Sequence, residues 1–341
     1  MISDQYYYHR LSKENQTLYK KIYESVLKHK DYVLLTGVSY NEDDIQDTCD
    51  ALTNDNPFLY YVNFDKLAFA TNPLGLLKIS FGYYYTEQEH QELNKKVVKY
   101  TQAIINRANI KNKSESEIVK SIYDVLALNI SYDYDGLNAQ RGSEECLYAH
   151  SILGVLLKRK GVCDGISKAF KYLLNAVGIN CLVVTGNAKD PFANHKMGAH
   201  AWNIVKINKQ NYHIDLTWGN ASTMDGVLNY DYYGLRDEDI IKDHKITSIV
   251  PVCDTLEENY FKKNNLIMYS EQELLQYIEK TVKRNQSTIY VKLAYNTSCA
   301  QAIQAAQEKI MEVLISAGES VAIRSSQREK QGTIMLVIIR S

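Results

Sequence analysis

Proline is scarce in this chain of 341 residues, with only 4 prolines where an average protein has about 5%, and no repeat or low-complexity tract is present. Charged residues make up 23% and hydrophobic residues 45%, which excludes a disordered or fibrous protein. Basic and acidic side chains nearly balance, at 39 and 40, so the sequence lacks the basic excess that nucleic-acid binding requires.

Long hydrophobic segments are also missing. The longest aliphatic run, Ile334 to Ile339, has six residues, whereas a membrane-spanning helix needs about 20. Met1 to Arg10 contains no apolar stretch typical of a signal peptide. We therefore expect a soluble, cytoplasmic protein without membrane or nucleic-acid partners, or a secreted one if a signal peptide has been removed.

The six cysteines show neither a disulfide nor a metal pattern. Successive cysteines are at least 17 residues apart, so there is no CxxC pair of the kind that binds zinc. Six thiols in a chain of this length are ordinary usage, and most should be buried as small apolar groups. We expect no metal and no cofactor.

The pattern along the chain predicts three parts. Residues 1–113 mix helical periodicity with a Tyr-rich, strand-like stretch from Phe58 to Tyr85. Residues 114–250 begin with a capping box at Ser114–Glu117 and contain all the chemical motifs. Residues 251–341 read as helix, strand, helix and two strands, which predicts a small α+β domain with a binding or structural role.

One cysteine has unusual surroundings. Cys163 follows Gly161 and precedes a stripe of apolar residues at helical spacing that ends at Gly178. A thiol at a helix N-terminus is favoured as the thiolate, and the unpaired amides there can donate to an oxyanion. The alternative is a buried cysteine without a chemical role.

A nucleophilic thiol needs a base, and the base needs an orienting partner. Two strands, Ala199–Ile207 and Gln210–Trp218, are predicted to form a hairpin around Asn208-Lys209. Placing the apolar residues on one face puts His200, Trp202, Asp215 and Thr217 on the other. His200 and Asp215 then become diagonal neighbours, at about 7–8 Å between Cα atoms.

Three blocks resemble the signature blocks of the transglutaminase-like superfamily: Gly161–Gly165, His200–Asn203 and Tyr212–Trp218. Their order and spacing are similar to that family, as is the upstream stretch Asn129–Asp133. The resemblance implies an α+β fold with a papain-like core, in which a helix bearing the cysteine packs on an antiparallel sheet. It also implies a catalytic triad of Cys163, His200 and Asp215.

The activity that the resemblance implies is acyl transfer on protein or peptide amides, with the thioester resolved by a lysine amine or by water. A cysteine peptidase or deamidase on the same core is one alternative, and a catalytically silent protein-binding module is another. The Cys163 amide is one candidate oxyanion donor and Tyr132 a second, while Trp202 and Trp218 either pack in the core or line the cleft.

Other polar residues receive simpler interpretations. His195 is expected on a surface loop or at the cleft edge, and His213 in a packed, structural position. The acidic run Asp237–Asp239 lacks the spacing of a calcium loop, and we expect it on a solvated face. The segment from Arg236 to His244 is expected to be irregular.

Overall fold

The structure, a computed structural model, describes residues 5–36, 40–73, 75–189, 196–221 and 226–340. The chain divides into two compact units. The first consists of Met1–Thr185 and His200–Lys209, and the second of Gly186–Ala199 and Gln210–Ser341. The predicted boundaries near residues 113 and 250 do not coincide with this division, and the three-part organisation stays a prediction.

Helices and strands are mixed up to residue 176. The helices are α1 (Lys13–Leu27), α2 (Glu42–Asp55), α3 (Glu87–Ala108), α4 (Glu115–Ala127), α5 (Tyr134–Asn138), α6 (Glu144–Ala149) and α7 (Cys163–Ala176). The strands are β1 (Tyr32–Thr36), β2 (Val62–Thr71), β3 (Leu76–Tyr83), β4 (Ser131–Tyr132) and β5 (Lys160–Gly161). Short 3₁₀ turns at Tyr8–Arg10 and Pro57–Leu59 and a π-helical turn at Gly154–Lys158 complete this part.

The N-terminal part contains a three-stranded antiparallel sheet with the order β1-β3-β2. β2 and β3 lie in the stretch that the Tyr-rich pattern predicts as strand, whereas β1 was not predicted. The apolar residues Leu18, Ile22 and Val26 of α1 are buried, as their helical spacing predicts.

α7 is the buried helix of the first unit. Its apolar stripe, including Ile166, Phe170 and Leu173, is shielded from solvent, and the ring of Phe170 contacts Tyr123 of α4. Gly178, which follows the helix, has φ +83°, a conformation that glycine adopts without strain. The helix that the sequence predicts after Gly161 is therefore confirmed.

Two longer strands follow, β6 (Cys181–Lys189) and β7 (Met197–Ile207), which are hydrogen-bonded neighbours. Asn208 and Lys209 both have positive φ, at 51° and 70°, as in the two-residue turn that the sequence predicts. β8 (Gln210–Ile214) comes next.

The prediction that this strand continues to Trp218 is wrong. β8 ends at Ile214, and α8 (Leu216–Ala221) begins two residues later. The Asp215 carboxylate accepts a hydrogen bond from the Trp218 backbone N–H at 3.1 Å, as a side chain that caps a helix N-terminus does. Capping by Asp215 therefore ends the strand that the alternating pattern suggests.

The second unit contains further short elements. Its strands and helices before the tail are β9 (Tyr233–Leu235), α9 (Asp237–Ile240), β10 (His244–Ile246) and α10 (Tyr260–Lys263). β8 pairs antiparallel with β9, and β10 pairs antiparallel with the end of β6, with His244 opposite Ala188. The segment 236–244 is therefore ordered, and the prediction of an irregular stretch is wrong.

The tail has the α+β order that the sequence predicts. It consists of β11 (Ile267–Met268), α11 (Glu271–Lys283), β12 (Thr288–Leu293), α12 (Cys299–Ser316), β13 (Val321–Arg328) and β14 (Thr333–Arg340). The sheet has the order β11-β12-β14-β13, and the two helices pack against it through an apolar core that includes Leu274, Ile278, Ile289, Ile310 and Leu336. β11 was not predicted.

Among the described residues, no helix combines the length and the apolar composition needed to span a bilayer.

Candidate active site

Cys163 is the first residue of α7, a helix of 14 residues. The preceding residue, Val162, is in the N-cap position, and its side chain makes no capping hydrogen bond. The thiol is half-buried. Cys163 therefore stands at a helix start, as the sequence predicts, and its reactivity stays a prediction.

Glycines allow the start of α7 to approach neighbouring backbone. A Cβ atom on Gly165 would lie 2.1 Å from the carbonyl oxygen of Ala149, and one on Gly161 would lie 3.0 Å from Cγ2 of Val155. Any side chain at position 165 would therefore displace the helix end that carries Cys163. This explains why the block Gly161–Gly165 places glycines on both sides of the cysteine.

Hydrogen bonds hold α7 against β7, the strand that carries His200. The Ser167 hydroxyl lies 2.8 Å from the carbonyl oxygen of Cys163 and 3.0 Å from that of Ala201. The Asn203 amide donates to the carbonyl oxygens of Ser167, at 3.0 Å, and Leu182, at 2.9 Å. Ser167 and Asn203 are buried, so these bonds are shielded from water. Cys163 and His200 therefore come from two elements that are joined by buried hydrogen bonds.

His200 is half-buried in β7. Its ring stacks near that of Trp202, with 6.1 Å between centroids and 20° between planes. Trp202 is fully buried, so this indole is a packing partner of the histidine and also part of the core. Trp202 is therefore a core residue that also contacts His200, and its role as a wall of the cleft stays a prediction.

Asp215 lies between β8 and α8 and is completely buried. Its backbone N–H donates to the Tyr232 carbonyl oxygen at 2.9 Å. Oδ1 accepts from the Trp218 N–H, and Oδ2 lies 3.2 Å from Nε2 of His244. The Trp218 ring contacts His244, with 4.4 Å between centroids. The joint action of Asp215 with Cys163 and His200 stays a prediction.

Tyr132 is on β4, which pairs in parallel with β5 so that Tyr132 stands opposite Gly161. The residue is half-buried, and its ring contacts that of Tyr134 at 4.9 Å. Asp133 adds a second link, because its N–H donates to the Gly161 carbonyl oxygen at 3.1 Å. Tyr132 therefore lies on the strand next to the segment that leads into Cys163, and its role as an oxyanion donor stays a prediction.

Residues 102–216 match the transglutaminase-like superfamily. This segment is a transglutaminase-like core. The matched segment contains Tyr132, Cys163, His200, Trp202 and Asp215. No curated protein matches the chain in sequence.

Solved structures with partial similarity include a TGase, with a TM-score of 0.31 and 17% identity over 55% of this chain and 50% of that chain. A candidate cysteine protease of Cytophaga hutchinsonii has a TM-score of 0.28 and 13% identity over 44% and 61%. An arylamine N-acetyltransferase of Bacillus cereus has a TM-score of 0.28 and 18% identity over 36% and 49%. This chain thus spans about half to three fifths of these proteins.

Next to Cys163, Asp164 forms an ion-pair cluster. Its carboxylate contacts Nδ1 of His150 at 2.8 Å and Nζ of Lys168 at 2.9 Å. Burial opposes ionisation, but the charges of Lys168 and His150 outweigh it and lower the pKa of Asp164 to about 2. The hydrogen bond to Asp164 raises the pKa of His150. These three residues line a cleft of about 530 Å³ that Cys163 does not line, so we do not place the reacting group there.

The acidic run Asp237–Asp239 is not the solvated face that the sequence suggests. Asp237 pairs with the buried His213, with 2.8 Å between Oδ1 and Nε2, and Asp239 is buried against Arg236 and Lys242. Only Glu238 of the three is strongly exposed. The expectation of a packed, structural His213 agrees with its complete burial. His195 lies outside the described residues.

His213, Asp237 and Cys253 offer three possible metal-ligand atoms within 4.8 Å of one another. The Asp237 carboxylate already contacts His213 and accepts the Cys253 backbone N–H at 3.1 Å. Burial, aided by the charge of Asp237, raises the pKa of the Cys253 thiol, and burial lowers the pKa of His213. These contacts explain why the three side chains lie close together, as a packed polar group.

Sequence reasoning missed the histidine that contacts Asp215. His244 is 29 residues further along the chain and is preceded by a charged run, which suggested a surface segment. Its side chain is completely buried between Asp215 and Asp243. The Asp243-His244 pair at the start of a short strand is the signal that could have identified it.

Proposed function

We propose that the protein is a cysteine-dependent acyl-transfer enzyme acting on amides of proteins or peptides. In this proposal Cys163 is the nucleophile, His200 the general base and acid, and Asp215 the residue that orients His200. The observation that carries it is the attachment of the Cys163 helix to the His200 strand through Ser167 and Asn203 within the transglutaminase-like core. The burial of Asp215 as a helix-capping carboxylate supports its role, because its orientation is restricted.

The first half-reaction forms a thioester. His200 takes the thiol proton, and the Cys163 sulfur adds to the carboxamide carbon of a glutamine side chain. The tetrahedral intermediate collapses as the carbon–nitrogen bond breaks, and the imidazolium returns the proton to the leaving ammonia. Asp215 holds the imidazole in one tautomer and stabilises its charged form.

The second half-reaction consumes the thioester. The imidazole accepts a proton from a lysine amine, whose nitrogen attacks the thioester carbon and releases the Cys163 thiol. The product is an isopeptide crosslink. When water attacks instead, the product is a carboxylic acid, which is deamidation of the glutamine or, with a main-chain amide, cleavage of the peptide.

The intermediate carries a negative oxygen that needs donors. The backbone N–H of Cys163 at the helix start is one, and the Tyr132 hydroxyl is the second. Trp202 and Trp218 shield the thiolate–imidazolium pair from water.

A single incubation separates the possible outcomes. The full chain is incubated with a glutamine-containing peptide and a fluorescent primary amine, and incorporated label, released ammonia and cleaved peptide are each measured. Cys163→Ala is compared with Cys146→Ala, because Cys146 is also half-buried and lies within another helix of the same unit. We expect label incorporation that is lost in Cys163→Ala and retained in Cys146→Ala.

Other products change the assignment. Ammonia without incorporated label indicates a deamidase, and peptide fragments indicate a peptidase, both on the same nucleophile. Equal activity in the Cys163→Ala variant contradicts the proposal, because the nucleophile is then another residue. No product from any amide substrate also contradicts it and favours a protein-binding module.

A further inference from the structure

His244 is the centre of a buried chain of polar groups. Its Nε2 lies 3.2 Å from Oδ2 of Asp215, and its Nδ1 lies 2.7 Å from Oδ1 of Asp243. The side chains of His244 and Asp215 are completely shielded from solvent, and that of Asp243 is nearly so. One imidazole therefore joins two carboxylates inside the second unit.

Both carboxylates already accept hydrogen bonds from other groups. Asp215 Oδ1 accepts from the Trp218 N–H at 3.1 Å. Asp243 Oδ2 accepts from the Tyr232 hydroxyl at 2.7 Å and from the Gln331 amide at 3.3 Å. Burial, together with the Asp243 charge, raises the pKa of Tyr232, so its hydroxyl remains a donor. Asp215 and Asp243 therefore both act as hydrogen-bond acceptors for these donors.

Both ring nitrogens of His244 face carboxylate oxygens. A neutral imidazole has one N–H donor and one lone pair, so one of its nitrogens would direct a lone pair at a carboxylate oxygen. The imidazolium donates from both nitrogens and satisfies both carboxylates. It also offsets one of two buried negative charges, which are costly without a partner. Titratable groups near His244 in this unit include Asp215, Asp243 and Tyr232, together with His213, whose pKa is lowered by burial.

We propose that His244 is a positioning residue of the transglutaminase-like core: as an imidazolium it keeps the Asp215 carboxylate ionised and in one orientation. This rests on the proposed function, which gives Asp215 its role beside His200. Trp218 N–H and His244 Nε2 hold different oxygens of the carboxylate, so its rotation is blocked from both sides. Each carboxylate oxygen accepts about two hydrogen bonds, which leaves capacity for the imidazole of the triad.

Two substitutions test the two ring nitrogens of His244 separately. In His244→Gln the amide can reach the Nε2 position and donate to Asp215 without a charge, whereas in His244→Asn it reaches only the Nδ1 position beside Asp243. We expect kcat to fall about 10- to 100-fold in His244→Asn, with KM changed less than about twofold, and His244→Gln to recover part of the loss. The acidic limb of the kcat/KM profile should move to higher pH in both variants, because the cation that favours ionised Asp215 is gone.

His213→Gln is the matched control. His213 is another completely buried histidine paired with a carboxylate, two residues before Asp215. We expect it to lower the melting temperature about as much as His244→Gln while the pH profile of the remaining activity stays that of the wild-type protein. If the His244 variants lose activity only in proportion to their folded fraction, with an unchanged profile, the positioning role is wrong.

A measurement without substrate tests the charge of His244. In ¹⁵N-histidine spectra of the whole protein at pH 7, we expect a histidine with both ring nitrogens protonated whose signals disappear in His244→Gln, apart from any such signal of His150, which is paired with Asp164. A neutral His244 ring would overturn the proposal even if the enzyme is active. An imidazolium at His244 in a wild-type protein that turns over no amide would overturn the proposed function, and with it the positioning role.

Discussion

At the scale of single residues, the surroundings of the six thiols differ enough to be measured. Burial raises the pKa of Cys49 and of Cys299 to about 12 and also raises that of Cys253, and Cys181 is buried. Cys146 and Cys163 are the half-buried pair. Cys146 follows two glutamates in a short helix, whereas Cys163 begins a helix of 14 residues with no side-chain cap.

These differences predict selective alkylation by iodoacetamide. At mildly acidic pH, Cys163 should react several-fold faster than Cys146, and the four buried thiols should react only after unfolding. Mass spectrometry of digested protein after timed labelling gives the rate at each site. Cys163→Ser and Cys146→Ser identify the two signals. Equal rates at Cys146 and Cys163 would show that the helix start does not favour the thiolate.

Residue types and their spacing in the sequence are sufficient to propose Cys163, His200 and Asp215, because each belongs to a short block with a chemical meaning. The same reasoning does not identify His244. Its partner Asp215 is distant in sequence, and the acidic residues before it look like a solvent-exposed run. The burial of a charged group depends on the tertiary positions of the elements around it, which the local sequence does not give.

At the scale of secondary-structure elements, the start of α7 depends on close backbone packing. Gly165→Ala would place a methyl group 2.1 Å from the Ala149 carbonyl oxygen, so the helix end must move. We expect a loss of about 1–3 kcal/mol in the free energy of unfolding, measured by urea titration. Activity should fall further than the folded fraction, because Cys163 moves with the helix end.

Gly178→Ala is the control at the other end of the same helix. Gly178 has φ +83° and no neighbouring atom within 4 Å of the added methyl group, so the substitution costs about 1–2 kcal/mol of backbone strain without displacing Cys163. This variant should lose stability and keep the kcat of the wild-type protein. A Gly165→Ala variant with the kcat of wild type would contradict the link between helix position and catalysis.

Local signals predict elements well where the pattern and the capping agree. Ser114 accepts the Glu117 N–H at the start of α4, as the capping box predicts. The same kind of signal was overlooked at Asp215, where an alternating pattern through Trp218 suggested a strand and the aspartate instead begins α8. Asp215 both caps a helix and belongs to the candidate site. The alternating pattern alone does not distinguish a capping aspartate from an aspartate within a strand.

At the scale of the whole molecule, the α+β class of the core follows from the resemblance of the three blocks and the order of the tail elements from periodicity, whereas the contacts of the tail follow from neither. Tyr290 of β12 donates from its hydroxyl to Asp231 at 2.7 Å and accepts the Tyr230 N–H at 2.8 Å. Gln331, on the turn between β13 and β14, donates to Asp243. The residues of these pairs are 59 to 88 positions apart, and periodicity in the sequence does not predict such contacts.

The Gln331 contact predicts that the tail supports the proposed chemistry from a distance. Gln331 is buried, and its amide is one of the donors on Asp243, which in turn contacts His244. Gln331→Leu keeps the approximate volume but removes this donor, so kcat should fall several-fold, less than in His244→Asn, with KM unchanged.

Gln327→Leu is the control, because Gln327 is exposed on β13 and should tolerate the change. Steady-state kinetics and thermal unfolding of both variants make the comparison. Since the Asp243 carboxylate would keep the Tyr232 hydroxyl as a donor, the loss in Gln331→Leu should be partial. A Gln331→Leu protein with the activity and stability of wild type would contradict this prediction and would leave the tail with a structural role.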